Sequence, residues 1–136
     1  MKIAETIILV SGILKNQKGE ILLVKRSKNN KTFKDFWQLP EGKIQPGEQP
    51  IETLGRELNE ELSCKLISAQ PLATSAVIVQ FGGKIYHLMR IGFEVEWEGV
   101  ITLSGEHTDY QWASLNNAIK VQNLVDGTKE ILLALK

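Results

Sequence analysis

The segment from Pro50 to Leu62 is the clearest helix in the sequence, and it constrains the fold more than any other feature. Its apolar side chains recur at helical spacing and form a single stripe, made by Ile51, Leu54, Leu58 and Leu62. Pro50 suits the first helical position, where a missing N–H breaks no hydrogen bond. A helix with one apolar face has to bury that face against another layer, so the sequence predicts a packing partner for it.

Strand-like segments flank this helix on both sides. Apolar and β-rich patterns predict strands at Thr6 to Leu14, Glu20 to Lys25, Cys64 to Ser68, Leu72 to Gln80, Ile85 to Trp97 and Tyr110 to Ala113. The turn Phe81-Gly82-Gly83-Lys84 predicts a hairpin, and Gly42 to Gly47 is predicted to be a loop. A further helix is expected at Thr128 to Lys136. This succession predicts an α/β chain with a mixed sheet and helices on its faces.

Composition narrows the class of protein. The chain has 136 residues, which suits a single domain over residues 1–136. Sixteen basic and sixteen acidic side chains cancel, so neither nucleic acid nor a membrane is expected as a partner. The sequence holds one cysteine, no recognisable signal peptide and no apolar run that could span a bilayer. A cytoplasmic location is therefore expected.

Three acidic residues share one face of the predicted helix. At about 100° per residue, Glu57, Glu60 and Glu61 fall within an arc of roughly 100° beside the leucine stripe. Like charges at these spacings repel by a few tenths of a kcal/mol per pair, unless a cation binds between them. Magnesium takes oxygen ligands and combines carboxylates with substrate phosphates. For the triplet alone, a solvated acidic face is the commoner explanation.

The residues around the triplet favour a metal site. Glu48 ends the glycine-containing loop before the helix, and Arg56 directly precedes the first acid. The segment Gly42 to Cys64 resembles the Nudix box, which is a Gly, five residues, Glu, seven residues, Arg-Glu, an aliphatic residue, any residue, Glu-Glu, any residue, Gly and an aliphatic residue. Seven of the nine fixed positions match, Cys64 stands for the last aliphatic residue, and Ser63 replaces the last Gly.

The resemblance implies a Nudix fold, an α/β/α sandwich with a mixed sheet, and a hydrolase that cuts a nucleoside diphosphate linked to another group. It implies Mg²⁺, or alternatively Mn²⁺, held by the Gly42 carbonyl and by Glu57, Glu60 and Glu61. Glu48 and Arg56 are the orienting pair in such a site. The general base is either a box glutamate such as Glu57 or the later Glu106, because the segment from Glu106 to Trp112 is similar to a downstream Glu-His…Trp segment of the family.

The resemblance leaves the substrate open. A (deoxy)nucleoside triphosphate, cut as by MutT-type enzymes, is the first expectation, and a dinucleoside polyphosphate or a nucleotide sugar is the alternative. A non-catalytic nucleotide-binding module is a third interpretation. Substrate contacts are expected from Arg26, Lys43 and Asn123, and a homodimer is expected by analogy with many relatives. His87 and His107 show no metal-ligand spacing, so zinc is not expected.

Overall fold

The strands form two sheets. A computed structural model describes residues 1–136. In chain order the elements are β1 (Glu5–Leu14), β2 (Ile21–Arg26), β3 (Trp37–Gln38), β4 (Glu41–Lys43), α1 (Pro50–Leu62), β5 (Lys65–Phe81), β6 (Lys84–Glu98), β7 (His107–Ala113), α2 (Leu115–Ile119) and α3 (Thr128–Ala134). One sheet has the order β4-β1-β6-β5, and the other has the order β3-β2-β7.

The larger sheet is mixed, as predicted. β1 runs parallel to β6, while the β1–β4 and β5–β6 pairs are antiparallel. The smaller sheet is antiparallel throughout. The prediction of an α/β chain with a mixed sheet is therefore confirmed.

Two apolar clusters hold the layers together. The first joins α1 to the sheets and contains Val10, Leu14, Leu22, Val24, Leu54, Leu58, Leu62, Cys64, Phe93 and Val95. The second joins α2 and α3 to the opposite side and contains Ile13, Ile21, Leu23, Leu39, Ala113, Ala118, Ile131 and Leu132. Of the predicted helical stripe, only Ile51 stays open, with 43% of its surface exposed. The three leucines of the stripe are fully buried, so they anchor α1 and fix the direction of its acidic face.

The ends of α1 follow from local chemistry. At the start, the Glu52 carboxylate accepts a hydrogen bond of 2.9 Å from the backbone N–H of Gln49, which satisfies one free donor. At the end, Ser63 has φ of 56°, the left-handed conformation expected where the box has its last glycine. The backbone N–H of Cys64 donates to the Leu58 carbonyl at 3.1 Å and closes the helix. No helix of the chain is both long and apolar enough to cross a membrane.

Several predicted boundaries were wrong. The two segments Cys64 to Ser68 and Leu72 to Gln80 form one strand, β5, because the chain continues through Pro71 by a shift in register. Proline is tolerated there because β5 is the edge strand of its sheet and its outer N–H groups have no partner strand.

Two elements were missed in the sequence. The short strand β4 lies in the segment predicted as a loop, and it pairs with β1 through Gly42 and Val10. The helix α2 begins after Ser114, whose hydroxyl accepts a hydrogen bond of 3.2 Å from the Asn117 N–H. In addition, β7 begins at His107, three residues earlier than predicted, and α3 ends at Ala134.

Candidate active site

The three acids of α1 form one compact cluster. Ligand oxygens of Glu57, Glu60 and Glu61 all lie within 4.8 Å of one another. The side chains of Glu57 and Glu61 are only 14% and 9% exposed, whereas that of Glu60 is 53% exposed. Two of the three carboxylates are therefore largely withdrawn from water, which a merely solvated acidic face would not require.

The burial of Glu57 has an electrostatic consequence. Desolvation raises the pKa of Glu57 to about 7, the nearby Arg56 opposes this rise, and the charges of Glu61 and Glu60 add to it. The carboxylate would ionise more readily if a cation replaced the missing solvation. The cluster thus has the donor type, the spacing and the unbalanced charge that suit a hard divalent cation.

Gly42 lies directly against this cluster. A Cβ added to Gly42 would overlap Cγ, Cδ and Oε1 of Glu57. The pairing of β4 with β1 holds the Gly42 backbone in place through its register with Val10. The Glu57 carboxylate therefore packs directly against the Gly42 backbone, and only glycine leaves room for it there.

Arg56 and Glu48 form a two-pronged ion pair. Nε of Arg56 donates to Oε2 of Glu48 at 2.8 Å, and Nη2 donates to Oε1 at 3.0 Å. This guanidinium holds the pKa of Glu48 down at about 2, helped by the backbone N–H of Gln45 and the hydroxyl of Thr53. Glu48 therefore stays ionised at any ordinary pH.

The same guanidinium reaches the acidic cluster. Nη1 of Arg56 donates to Oε1 of Glu57 at 2.8 Å and lies 3.4 Å from Oε2 of Glu60. Nη2 also contacts the Lys43 carbonyl at 3.4 Å. Arg56 thus links Glu48 to two of the three clustered acids, and the structure brings these five predicted residues and Gly42 together.

Glu61 meets a second group of residues, which comes from the segment before β7. Oε2 of Glu61 accepts a hydrogen bond of 2.7 Å from the Ser104 hydroxyl and lies 3.2 Å from Nδ1 of His107. The His107 ring and the Ser104 hydroxyl hold the pKa of Glu61 below its usual value, against the effect of burial. Backbone hydrogen bonds from Ser104 to the Glu61 carbonyl and from Thr102 to the Leu62 carbonyl attach this segment to the end of α1.

Glu106 lies beside this group. Burial raises the pKa of Glu106, and the adjacent charge of Glu61 raises it further. The Glu106 carbonyl accepts hydrogen bonds from the backbone of Ser27 and the side chain of Asn30, at 3.0 and 3.1 Å. The predicted Glu106 therefore lies within electrostatic range of Glu61, on an exposed position of a segment tied to the loop after β2.

The three predicted substrate contacts lie in different surroundings. Arg26 donates hydrogen bonds to its own loop and to β3. Its Nε donates to the Thr32 carbonyl at 3.1 Å, and its Nη1 donates to Oε1 of Gln38 at 3.3 Å. Lys43 is exposed and pairs with Glu5 at 3.4 Å. Asn123 has φ of 59°, and its carbonyl accepts a hydrogen bond of 2.7 Å from the Trp37 N–H. None of these contacts joins the side chain of Lys43 or Asn123 to the acidic cluster.

A buried ion pair beside the box was missed in the sequence. Nε and Nη2 of Arg90 donate to the two carboxylate oxygens of Glu41 at 3.0 and 3.2 Å, and the Arg90 side chain is 1% exposed. The Ser11 hydroxyl donates to the same carboxylate at 3.3 Å. Arg90 stands at an inward position of β6, so its place in the alternating pattern was the one available signal.

Comparison with known proteins identifies the family of the chain. A family model for the NUDIX domain matches residues 6–135. The crystal structure of a MutT protein from Methanosarcina mazei Go1 superposes with a TM-score of 0.82 and 30% sequence identity, over 95% of this chain and 91% of that one.

Two similar sequences are named as RNA pyrophosphohydrolases. The protein from Ruthia magnifica subsp. Calyptogena magnifica is 29% identical, and the match covers 88% of this chain and 73% of that protein. The protein from Pseudomonas fluorescens strain SBW25 is 41% identical over 61 residues, which cover 45% of this chain and 35% of that protein. The latter match therefore spans only about a third of its relative's length.

Proposed function

The chain belongs to the Nudix family and is a Nudix pyrophosphohydrolase, and we propose that it hydrolyses a (deoxy)nucleoside triphosphate in a magnesium-dependent reaction of the MutT type. The observation that carries this proposal is the compact cluster of Glu57, Glu60 and Glu61, braced by Arg56. A phosphoanhydride carries several negative charges, so a purely acidic site would repel it. A cation held by the cluster would reverse the sign of the site.

The residues of the cluster suit Mg²⁺, with Mn²⁺ as the alternative. Glu57, Glu60, Glu61 and the Gly42 carbonyl are the proposed ligands, because all are oxygen donors and the Gly42 backbone lies in contact range of Glu57. When bound there, the metal would neutralise substrate phosphates and lower the pKa of an attacking water.

The remaining residues of the site have positioning and proton-transfer roles in this proposal. Arg56, held by Glu48, keeps the Glu57 carboxylate turned towards Gly42. Glu57 and Glu106 are the two candidates for the general base, and the raised pKa of each makes its carboxylate a stronger proton acceptor. Arg26, Lys43 and Asn123 are the proposed substrate contacts.

An RNA 5′-pyrophosphohydrolase is the second candidate function. The names of the similar sequences favour it. The balance of sixteen basic and sixteen acidic residues favours a small nucleotide, because no excess positive charge is present to hold an RNA backbone. A dinucleoside polyphosphate, a nucleotide sugar and a non-catalytic binding role are further alternatives.

A substrate screen separates these functions. Purified protein with Mg²⁺ is offered nucleoside triphosphates, 5′-triphosphorylated RNA, a dinucleoside tetraphosphate and a nucleotide sugar, and the products are separated by ion-exchange chromatography. We expect the largest kcat/KM for one of the nucleoside triphosphates, with a nucleoside monophosphate and pyrophosphate as products. A larger kcat/KM for triphosphorylated RNA would replace the first proposal by the second. Binding of a nucleotide with no turnover of any compound would favour the binding module.

Three broader features complete the proposal. Residues 1–136 are proposed to form one domain, which works in the cytoplasm on a small-molecule substrate.

We further propose a homodimer, formed through the outer edge of β5. This edge strand has 17 residues, and no charged residue stands between Lys65 and Lys84. Edge strands that avoid pairing usually carry charges, so the absence of charge here favours pairing with a second copy.

A further inference from the structure

Two buried polar residues beside the cluster have no part in the chemistry above. Gln38 on β3 is 2% exposed, and His107 at the start of β7 is 7% exposed. They form a chain of contacts that begins at Arg26 and ends at the acidic cluster. The successive contacts are Arg26 Nη1 to Gln38 Oε1 at 3.3 Å, Gln38 Nε2 to His107 Nε2 at 3.5 Å, and His107 Nδ1 to Glu61 Oε2 at 3.2 Å.

The orientation of the Gln38 amide follows from the chemistry of arginine. A guanidinium only donates hydrogen bonds, so Gln38 has to present its oxygen to Arg26. The Arg26 guanidinium is itself held in place by Thr32, whose carbonyl and hydroxyl accept from Nε and Nη2 at 3.1 and 3.0 Å. The amide nitrogen of Gln38, which only donates, is thereby turned towards Nε2 of His107.

The orientation of Gln38 determines where His107 carries its proton. Because the amide nitrogen donates, Nε2 of His107 has to accept, and the proton of the neutral imidazole then stands on Nδ1. Nδ1 is fully buried, and Oε2 of Glu61 lies 3.2 Å away, although off the line of an ideal N–H hydrogen bond. The N–H therefore faces a carboxylate oxygen that a small rotation of the ring would bring into line.

In this arrangement the two carboxylate oxygens of Glu61 have different contacts. The Ser104 hydroxyl at 2.7 Å and Nδ1 of His107 both approach Oε2. Oε1 receives neither of these contacts. A carboxylate whose one oxygen is held by donors presents the other oxygen to a cation in a fixed direction.

We propose that Gln38 is a positioning residue, which sets the Nδ1–H tautomer of His107 and through it turns Oε1 of Glu61 towards the metal. The proposal rests on the metal-binding role proposed above for Glu61. It adds a control of that ligand by Arg26 and Gln38, which lie on other strands and touch no proposed ligand. A purely structural role for Gln38 would require only that its amide be buried and satisfied, with no consequence for the His107 proton.

The tautomer can be measured directly, without activity. The chain has only two histidines, so ¹⁵N–¹H correlation spectra of the ring nitrogens are assigned by comparison with His87→Gln. Spectra are recorded at mildly alkaline pH. We expect a protonated Nδ1 and an unprotonated Nε2 in His107. A proton on Nε2, or on both nitrogens, would overturn the proposal.

A variant of Gln38 whose side chain only accepts hydrogen bonds tests the link between His107 and metal binding. In Gln38→Glu the carboxylate accepts from Arg26 and also from His107, so we expect the proton to move to Nε2. Mn²⁺ binding, followed by the electron paramagnetic resonance signal of the free ion, should weaken about tenfold, as is typical when a partner of a metal ligand is changed. Gln17→Glu is the matched control, because it makes the same change at an exposed position of the turn between β1 and β2. A tautomer or Mn²⁺ affinity in Gln38→Glu equal to that of Gln17→Glu would contradict the proposal.

These measurements separate this inference from the proposed function. The expected tautomer and Mn²⁺ response in a protein that hydrolyses no nucleotide would support the positioning role and remove only the catalytic proposal. Turnover of a nucleotide by a protein with the opposite tautomer would support the catalytic proposal and remove only the positioning role.

Discussion

Gly42 lies directly against the Glu57 side chain of the acidic cluster. Because a Cβ there would overlap the Glu57 side chain, we expect Gly42→Ala to displace that carboxylate. A misplacement on the order of 1 Å costs about 100-fold in rate, so kcat/KM should fall by about that factor. Steady-state kinetics on the best substrate of the screen measure the change. Gly55→Ala, on the opposite side of α1 from the cluster, serves as the control, and equal kcat/KM for the two variants would contradict the proposed role of Glu57.

Cys64 is a buried thiol that should react only when the protein opens. It is 2% exposed, and burial raises the pKa of its thiol. A raised pKa lowers the fraction of reactive thiolate, so at pH about 8 this fraction lies below that of a free cysteine with pKa ~8.5. We expect negligible reaction with Ellman's reagent in native buffer and one equivalent in denaturant. Rapid reaction of the native protein would show that the end of α1 opens readily.

Residues in one continuous segment could be predicted, whereas contacts between segments could not. The positions of Glu48, Arg56 and the three clustered acids follow from spacing along one helix and its preceding loop. By contrast, Ser104 reaches Glu61 from 43 residues further along the chain, and His107 comes from the same segment. Such a contact depends on how the segment after β6 packs on α1, which no local pattern encodes.

At the scale of elements, α1 contains a glycine that its packing does not need. A Cβ at Gly55 would stand 3.5 Å from Cδ2 of Leu66, which is ordinary van der Waals contact. Glycine costs about 1 kcal/mol relative to alanine inside a helix, so Gly55→Ala should raise the free energy of unfolding by about that amount. Urea denaturation followed by circular dichroism measures it. A lower free energy of unfolding would mean that α1 and β5 approach each other more closely than the structure indicates.

The edge strand β5 is the element that should mediate self-association. Ile67, Leu72, Ile78 and Phe81 on this strand are 40–48% exposed. We expect sedimentation equilibrium to give a dimer for the wild type and a monomer for Ile78→Lys, because a charge on an edge strand opposes pairing with a second edge. Ile78 has no place in the proposed site, so kcat should be the same in both. A monomeric wild type would contradict the proposed homodimer.

Element boundaries differed from prediction where tertiary context decides. The sequence divided β5 at Pro71 because proline usually ends a strand, but an unpaired outer edge removes that penalty. β4 is three residues long and exists only through its pairing with β1, so its glycine-containing sequence predicted a loop. α2, with five residues, is too short for its periodicity to be recognised.

At the scale of the whole molecule, the order of strands and helices was enough to predict the class of fold. A hairpin turn at Gly82 and Gly83, long alternating strands and one strongly amphipathic helix leave few arrangements other than a mixed sheet with helices on its faces. The parallel pairing of β1 with β6 could not be predicted, because the two strands are separated by five elements. That pairing also brings Arg90 to Glu41, which explains why the buried ion pair was missed.

The central claim is that the cluster on α1 hydrolyses a nucleotide with the help of a bound divalent cation. Its most direct test is the Mg²⁺ dependence of kcat/KM for the wild type, Glu60→Gln, Glu61→Gln and the control Glu98→Gln, which removes one carboxylate from an exposed position. The account predicts no turnover without Mg²⁺, saturable activation of the wild type and of the control, and a loss of about 100-fold or more in both cluster variants. Equal activity in all four proteins, or full activity in the presence of a chelator, would contradict it.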